Sequence, residues 1–272
     1  MDKKAIREFA IAARRKLIEQ VKQKAFEIGI SGDDKIMQLE EADGHVILHG
    51  QPQSLTFKQH RETLIKEIKA KGYGNVMEEA AYIWFNRFIA LRFMEVNDFL
   101  PTGVRVLSSV DPAKAEPDII REALNVDLGL DKDRIYEYLD RNDTEGLYKY
   151  LLIGQCNALS KILPFMFEEI NSYTELLFPG NLLQEGSVTR ELVTTIPESD
   201  WKEVEIIGWL YQYYISERKS EIVGMIKVPV AKEDLPAATQ IFTPKWIVKY
   251  MVQNSLGKLW QDSHPETSFS DD

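Results

Sequence analysis

Apolar residues recur at Ile6, Phe9, Ala10, Ala13, Leu17, Val21 and Phe26, close to one per helical turn or half-turn. That spacing predicts a helix over residues 4–28, stopped by Gly29 in the position of a helix-terminating glycine. The next stretch, SGDDKIMQLEEADGHVILHGQPQS, mixes turn formers with a β-branched run from His45 to Leu48, which predicts a hairpin or small strand pair. Helical spacing returns over 55–71 and stops at Gly72 and Gly74. A long apolar helix, 77–99, then ends before Pro101. The connector PTGVRVLSSVDPAKAEPD carries one short strand at Val104–Leu107. From there the pattern is helical almost throughout: 118–127, 131–141, 144–162, 165–177, 188–195, 200–227 with a division near Glu217, and 244–258. Asp200 and Glu203 are spaced as a capping box for the helix at 200. The closing QDSHPETSFSDD is polar and aperiodic, as a linker or severed connection would be. The fold class is therefore mainly α: a multi-helical N-terminal domain with a minor β-hairpin.

Composition narrows the class. The chain has 272 residues, 44% of them hydrophobic and 10% aromatic, which suits a folded globular protein. A single cysteine, Cys156, excludes an internal disulfide framework, fits a reducing cytoplasm and reads as a small core residue. The first residues, MDKKAIREFAIAARRKL, have no apolar core of a signal peptide, and Glu8 and Glu19 argue against an import presequence. The run from Ala80 to Leu100 is interrupted by Asn86, Arg87, Arg92, Glu95, Asn97 and Asp98. A buried core helix is expected there rather than a membrane span. The expectation is a soluble, cytoplasmic protein with no membrane partner.

The net charge of −10 is unevenly spread. Residues 1–24 hold eight basic side chains against Asp2, Glu8 and Glu19, a segment of +5 in a remainder of −15. Arg7, Arg14, Arg15 and Lys16 are the candidates for phosphate contact, with a solvated helix face as the plainer reading.

Several chemistries are absent. His45, His49, His60 and His264 have no zinc-like spacing with cysteines or carboxylates, so no metal site is expected. Neither a phosphate-binding Gly-Lys-Ser/Thr loop nor a dinucleotide G-x-G-x-x-G occurs. Asp118 with Glu217-Arg218-Lys219 imitates a metal-dependent nuclease pattern. Both halves lie in helical contexts, where adjacent strands would be needed.

The segment ATQIFTPKWIVKYMV is the most informative. Pro244 suits the first helical position, where its missing N–H costs nothing, and Thr243 then becomes the N-cap. The free N–H groups and positive dipole end make that spot receptive to a carboxylate, such as that of an amino-acid-like ligand. The alternative is a well-capped helix and nothing more.

The string TQIFTPKWIVKYMV resembles motif X of the amino-methylating DNA methyltransferases, whose Phe-Thr-Pro lies against the methionine portion of S-adenosylmethionine. That resemblance implies cofactor contacts for Phe242, Thr243 and Pro244, with Thr239 and Gln240 as looser neighbours. Upstream, AAYIWFNRFIALRFMEVNDFLPTGVRVLSS (80–109) and VEIIGWLYQYYISERKSE (204–221) closely resemble the adenine-specific methyltransferases of type 1 BREX phage-defence systems. With the N-terminal helix, the similarity covers essentially the whole chain. The residues keep their own reading beside it. Arg92 and Glu95 are spaced for an ion pair, Arg87 and Arg92 read as buried pair-formers, and Trp209, Tyr213 and Tyr214 read as packing aromatics.

Neither Asp-Pro-Ala-Cys-Gly-Ser-Gly nor Asn-Pro-Pro-Tyr follows Pro244, so no catalytic residue is assigned in this chain. The resemblance implies a helical N-terminal domain over 1–235 and, over 236–272, the start of an α/β methyltransferase domain. The whole enzyme would methylate adenine N6 in double-stranded DNA, with other phage-defence components as partners, and this chain alone would be inactive. Two alternatives remain at this stage: the connector of a fused restriction-modification enzyme, and a non-catalytic DNA- or protein-binding module.

Overall fold

The expected first helix runs from Lys3 to Glu27 (α1) in the computed structural model, which describes residues 1–164, 166–167, 173–224, 230 and 235–266. The Asp2 carboxylate accepts from the Lys4 and Ala5 amides and caps its start. At its end, Gly29 takes φ 75°, the Gly29 amide donates to the Phe26 carbonyl and the Ile30 amide to Ala25. This is the paired 5→2 and 6→1 closure that only a residue tolerant of positive φ allows cheaply. Arg61 finishes the job from another helix: its Nε donates to the Ile28 carbonyl at 2.7 Å and Nη2 to Met37 at 2.6 Å. Burial pulls the Arg61 guanidinium below its ordinary pKa, and those carbonyls are what compensate the charge.

Contacts gather the chain into two units, Met1–Lys202 and Glu203–Asp272. In the first unit a three-stranded antiparallel meander follows α1: Glu40–Ala42 (β1), His45–Leu48 (β2) and Gln51–Gln53 (β3). His49 and Gly50, both at positive φ, make the tight β2–β3 turn. Helices Leu55–Lys71 (α2) and Tyr73–Val96 (α3) follow. α3 is buried nearly all round, which is why its sequence lacks a polar stripe. It packs along α1, with Phe9 stacked on Phe85 at 6.5 Å between ring centroids. The single turn Asp118–Arg121 (α4), Lys132–Asp140 (α5), Thr144–Ser160 (α6), the single turn Tyr173–Leu176 (α7), Val188–Thr195 (α8) and a 3₁₀ turn Glu198–Lys202 complete the unit. Cys156 is fully buried on α6, and burial pushes its thiol up to about 12, so it is a core residue as expected.

The expected Arg92–Glu95 ion pair forms at 2.7 Å with both side chains in the core. Glu95 does more than pair. Its carboxylate also accepts from the amides of Val106 and Leu107, each at 2.8 Å, and from the Ser108 hydroxyl at 2.9 Å. This overturns the strand expected at Val104–Leu107: those N–H groups are spent on a carboxylate, and the segment is irregular. Outside the core, the hydrogen-bonded Arg105 guanidinium holds Glu198 below the usual carboxylate range.

Other expectations shift as well. The capping box at 200 does not form. Asp200 accepts instead from the Asp2 amide at 2.9 Å and pairs with the Met1 ammonium at 3.3 Å, and the α-helix starts at Glu205. Of the expected helix 118–127 only α4 is helical. Its Asp118 carboxylate accepts from the Ser109 hydroxyl and the Val110 amide and pairs with Arg121. Of the expected helix at 165–177, residues 165 and 168–172 lie outside the described residues and the turn α7 is its described helical part; the end of the linker also lies outside them.

The second unit comprises Glu205–Tyr214 (α9), Ser216–Gly224 (α10), Leu235–Thr239 (α11), Lys245–Val252 (α12), a π-helical turn Gln253–Gly257, and Lys258–Ser263 (α13). The expected break near Glu217 falls at Ile215. The resemblance implies a change of domain after residue 235, and contacts group α9 with the segment that follows it. No described helix is long and apolar enough to cross a membrane.

Candidate cofactor-binding segment

Residues 241–244 join α11 to α12 without regular secondary structure, and one face of α9 supports them. Glu205, Gly208, Trp209 and Gln212 stand at i, i+3, i+4 and i+7 and so share that face. The Gln212 amide oxygen accepts from the Phe242 backbone N–H at 2.9 Å. The Phe242 ring meets Trp209 edge-on, 5.2 Å between centroids, an arrangement favoured by the ring quadrupoles. It also lies flat on Gly208: a Cβ there would sit 2.0 Å from two of the ring atoms. Only glycine leaves room for this seat.

The start of α12 differs from the expectation by one residue. Pro244 has ψ 144° and its carbonyl accepts from Val248, so Pro244 is the N-cap and Thr243 precedes it. No side chain of the segment caps the helix. Glu205 reaches from 40 residues earlier and accepts from the Lys245 amide at 2.5 Å. The negative charge that the helix start attracts is thus supplied from within the chain. The Ile247 amide donates to Pro244, leaving the Trp246 N–H and the Thr243 hydroxyl uncommitted among the described residues. Thr243 is exposed.

The looser neighbours are held differently. The Thr239 hydroxyl donates to the Leu235 carbonyl at 2.7 Å, within its own helix. The Gln240 side chain accepts from the Tyr211 hydroxyl, and its carbonyl from Lys219 at 3.4 Å. Sequence reasoning singled out Phe242, Thr243 and Pro244 but missed Glu205, Gly208 and Gln212. The only signal was a glycine inside an aromatic helix, in line with a Glu and a Gln.

The basic candidates of α1 separate into two groups. Arg14 is buried and pairs with Glu78. Lys16 pairs with Glu191 at 2.8 Å and donates to the Gly186 carbonyl at 2.7 Å. Both have work inside the first unit. Arg7 and Arg15 are exposed.

No family model matches the chain. Two individual proteins do. The adenine-specific methyltransferase BrxX of Escherichia coli O9:H4 (strain HS) is 41% identical over 278 residues, covering 100% of this chain and 23% of that protein. The adenine-specific methyltransferase PglX of Lacticaseibacillus casei (strain Zhang) is 41% identical over 285 residues, covering 96% of this chain and 23% of its own length. The matched portion is the N-terminal one. The chain therefore spans about a quarter of the length of the relatives it matches, and the expected resemblance to the N-terminal region of BREX methyltransferases holds along the whole of it.

Proposed function

We propose that this chain is the N-terminal region of an adenine-specific DNA methyltransferase of a BREX phage-defence system, one that transfers the S-adenosylmethionine methyl group to adenine N6. The whole-length similarity to BrxX and PglX carries the reading. The geometry of the Phe-Thr-Pro segment supports it. Phe242 serves as the anchor, while the uncommitted Thr243 hydroxyl and Trp246 N–H remain as donors toward a ligand. S-adenosylmethionine would supply the electrophilic methyl group. In this chain Thr243 and Pro244 would line its methionine portion, with Phe242 fixing where they stand. Thr239 and Gln240 would act from behind, through α11 and Tyr211.

One large apolar surface agrees with this reading. Trp246, Tyr250, Met251, Leu256, Leu259 and Trp260 are all at least half exposed along α12 and α13. A helix this apolar is normally covered. Here the following part of a methyltransferase domain would cover it, making 236–272 that domain's opening.

The test is Thr243→Ala in the intact enzyme. Since this hydroxyl caps nothing, stability should change by less than about 0.5 kcal/mol. Cofactor affinity, measured by calorimetry, should fall about tenfold, as for a lost hydrogen bond of roughly 1.4 kcal/mol. An unchanged affinity removes Thr243 from the site.

Double-stranded DNA is the proposed substrate, other defence components the proposed partners, and the cytoplasm the proposed location. If α1 touches the DNA backbone, Arg7 and Arg15 are the residues placed to do so. Replacing both with glutamine should lower the slope of log affinity against log salt by about two. An unaltered slope returns this face of α1 to solvent. Arg14 is unsuitable for the experiment, because it is itself buried and paired with Glu78 inside the first unit.

A further inference from the structure

A cleft of about 720 Å³ opens between α5, α6 and the turn α7, entirely within the first unit. Its size is that of a small-ligand site. Three cations line it: Arg134 from α5, Lys149 in the middle of α6, and Lys161 just past the end of α6. None of the three pairs with a carboxylate within 4.0 Å among the described residues. Arg134 and Lys161 are exposed at the rim and Lys149 is half-buried, whereas the buried Arg14 and Arg92 have carboxylate partners and the buried Arg61 has backbone carbonyls.

The Lys149 ammonium is half-buried and lies 5.4 Å from the Phe178 ring centre. Burial lowers its pKa, Glu175 opposes the shift and Lys24 adds to it. A cation desolvated in this way gains from an anion brought to it. Of the two carboxylates on the wall, Asp143 is committed to capping α6 through the Gly146 amide at 2.8 Å. Tyr138 and Tyr150 also line the cleft, ring centroids 5.9 Å apart, with the Arg134 guanidinium 4.7 Å from the Tyr150 ring centre. Cations beside aromatic faces are the pairing that holds a phosphate and a base together.

We propose that this cleft binds a nucleotide unit, free or within a single strand, with its phosphate on Arg134, Lys149 and Lys161 and its base against Tyr138 or Tyr150. The site is separate from the Phe-Thr-Pro segment and does not depend on the methyltransferase reading. The experiment titrates the 272-residue chain with ATP and, separately, with 5′-phosphorylated tetrathymidylate, at about 50 mM salt so that phosphate contacts are not screened out. Saturable binding of at least one probe is expected. Lys149→Met, and independently Arg134→Ala with Lys161→Ala, should each weaken it about tenfold or more, with circular dichroism unchanged. Binding of ATP alone identifies a free nucleotide as the ligand, and tighter binding of the tetranucleotide identifies a strand. Should Lys149→Met not fold, the exposed pair Arg134 and Lys161 decides. No saturation by either probe at millimolar concentration overturns the proposal, as does binding indifferent to the variants.

Discussion

Gly208→Ala should unseat the Phe-Thr-Pro segment, although by helix propensity alone the same change would be favourable. Alanine in place of a mid-helix glycine ordinarily stabilises by about 0.5–1 kcal/mol. Here the added methyl group would stand 2.0 Å from the Phe242 ring, so the ring has to leave. Its departure breaks the edge contact with Trp209 and pulls on the Phe242 amide bond to Gln212. The near-ultraviolet circular dichroism of the chain should lose its Trp209 contribution, and in the intact enzyme cofactor affinity should drop by more than the tenfold expected for Thr243→Ala. The unfolding temperature of the first unit should stay unchanged, because Gly208 lies outside it. A more stable protein with an unaltered aromatic signal would show that the ring is not seated on α9. The outcome also bears on Thr243, whose position is set by this anchor.

Glu95→Ala should cost the first unit roughly 3–5 kcal/mol, the usual consequence of leaving a buried charge without its partner. Arg92, with 1% of its side chain exposed, would keep only the Ser108 hydroxyl and the more distant Glu198. The Val106 and Leu107 amides would also lose their acceptor. That second loss separates this pair from an ordinary ion pair. Arg92→Met with Glu95→Leu removes both charges and would be near neutral if charge were the whole cost. The two orphaned amides should instead keep the double variant well below wild type, by about 1–3 kcal/mol for each amide left buried. Urea unfolding of the single and double variants measures both quantities. Full recovery in the double variant would mean that the 104–107 loop finds other acceptors.

Long helices with a clean apolar period were legible from the sequence. α1, α2, α6 and α8 stand within a few residues of where the spacing put them, and the i, i+3 placement of Arg92 and Glu95 foretold their contact. Three of the departures share one cause: a carboxylate and a backbone N–H or ammonium group brought together from positions that local rules do not connect. Glu95 captures the amides of an apparent strand. Asp200 turns to the N-terminus instead of capping a helix, and Glu205 caps α12 in place of Thr243. Local patterning contains no information about which distant carboxylate will arrive. For the candidate site, the motif residues were legible and their support was not. Glycine in an aromatic helix has several ordinary explanations until the ring that needs its empty Cβ is seen.

The bare apolar strip along α12 and α13 has a consequence for how this chain behaves as a colloid. With a net charge of −10 and an isoelectric point near 5.1, molecules at neutral pH repel one another before the strips can meet. Acidification toward pH 5.1, or concentrated salt, removes that repulsion and leaves Trp246, Leu256 and Trp260 to adhere to their counterparts on neighbouring chains. Buffers well above the isoelectric point and of modest ionic strength are therefore the ones in which the chain stays dispersed.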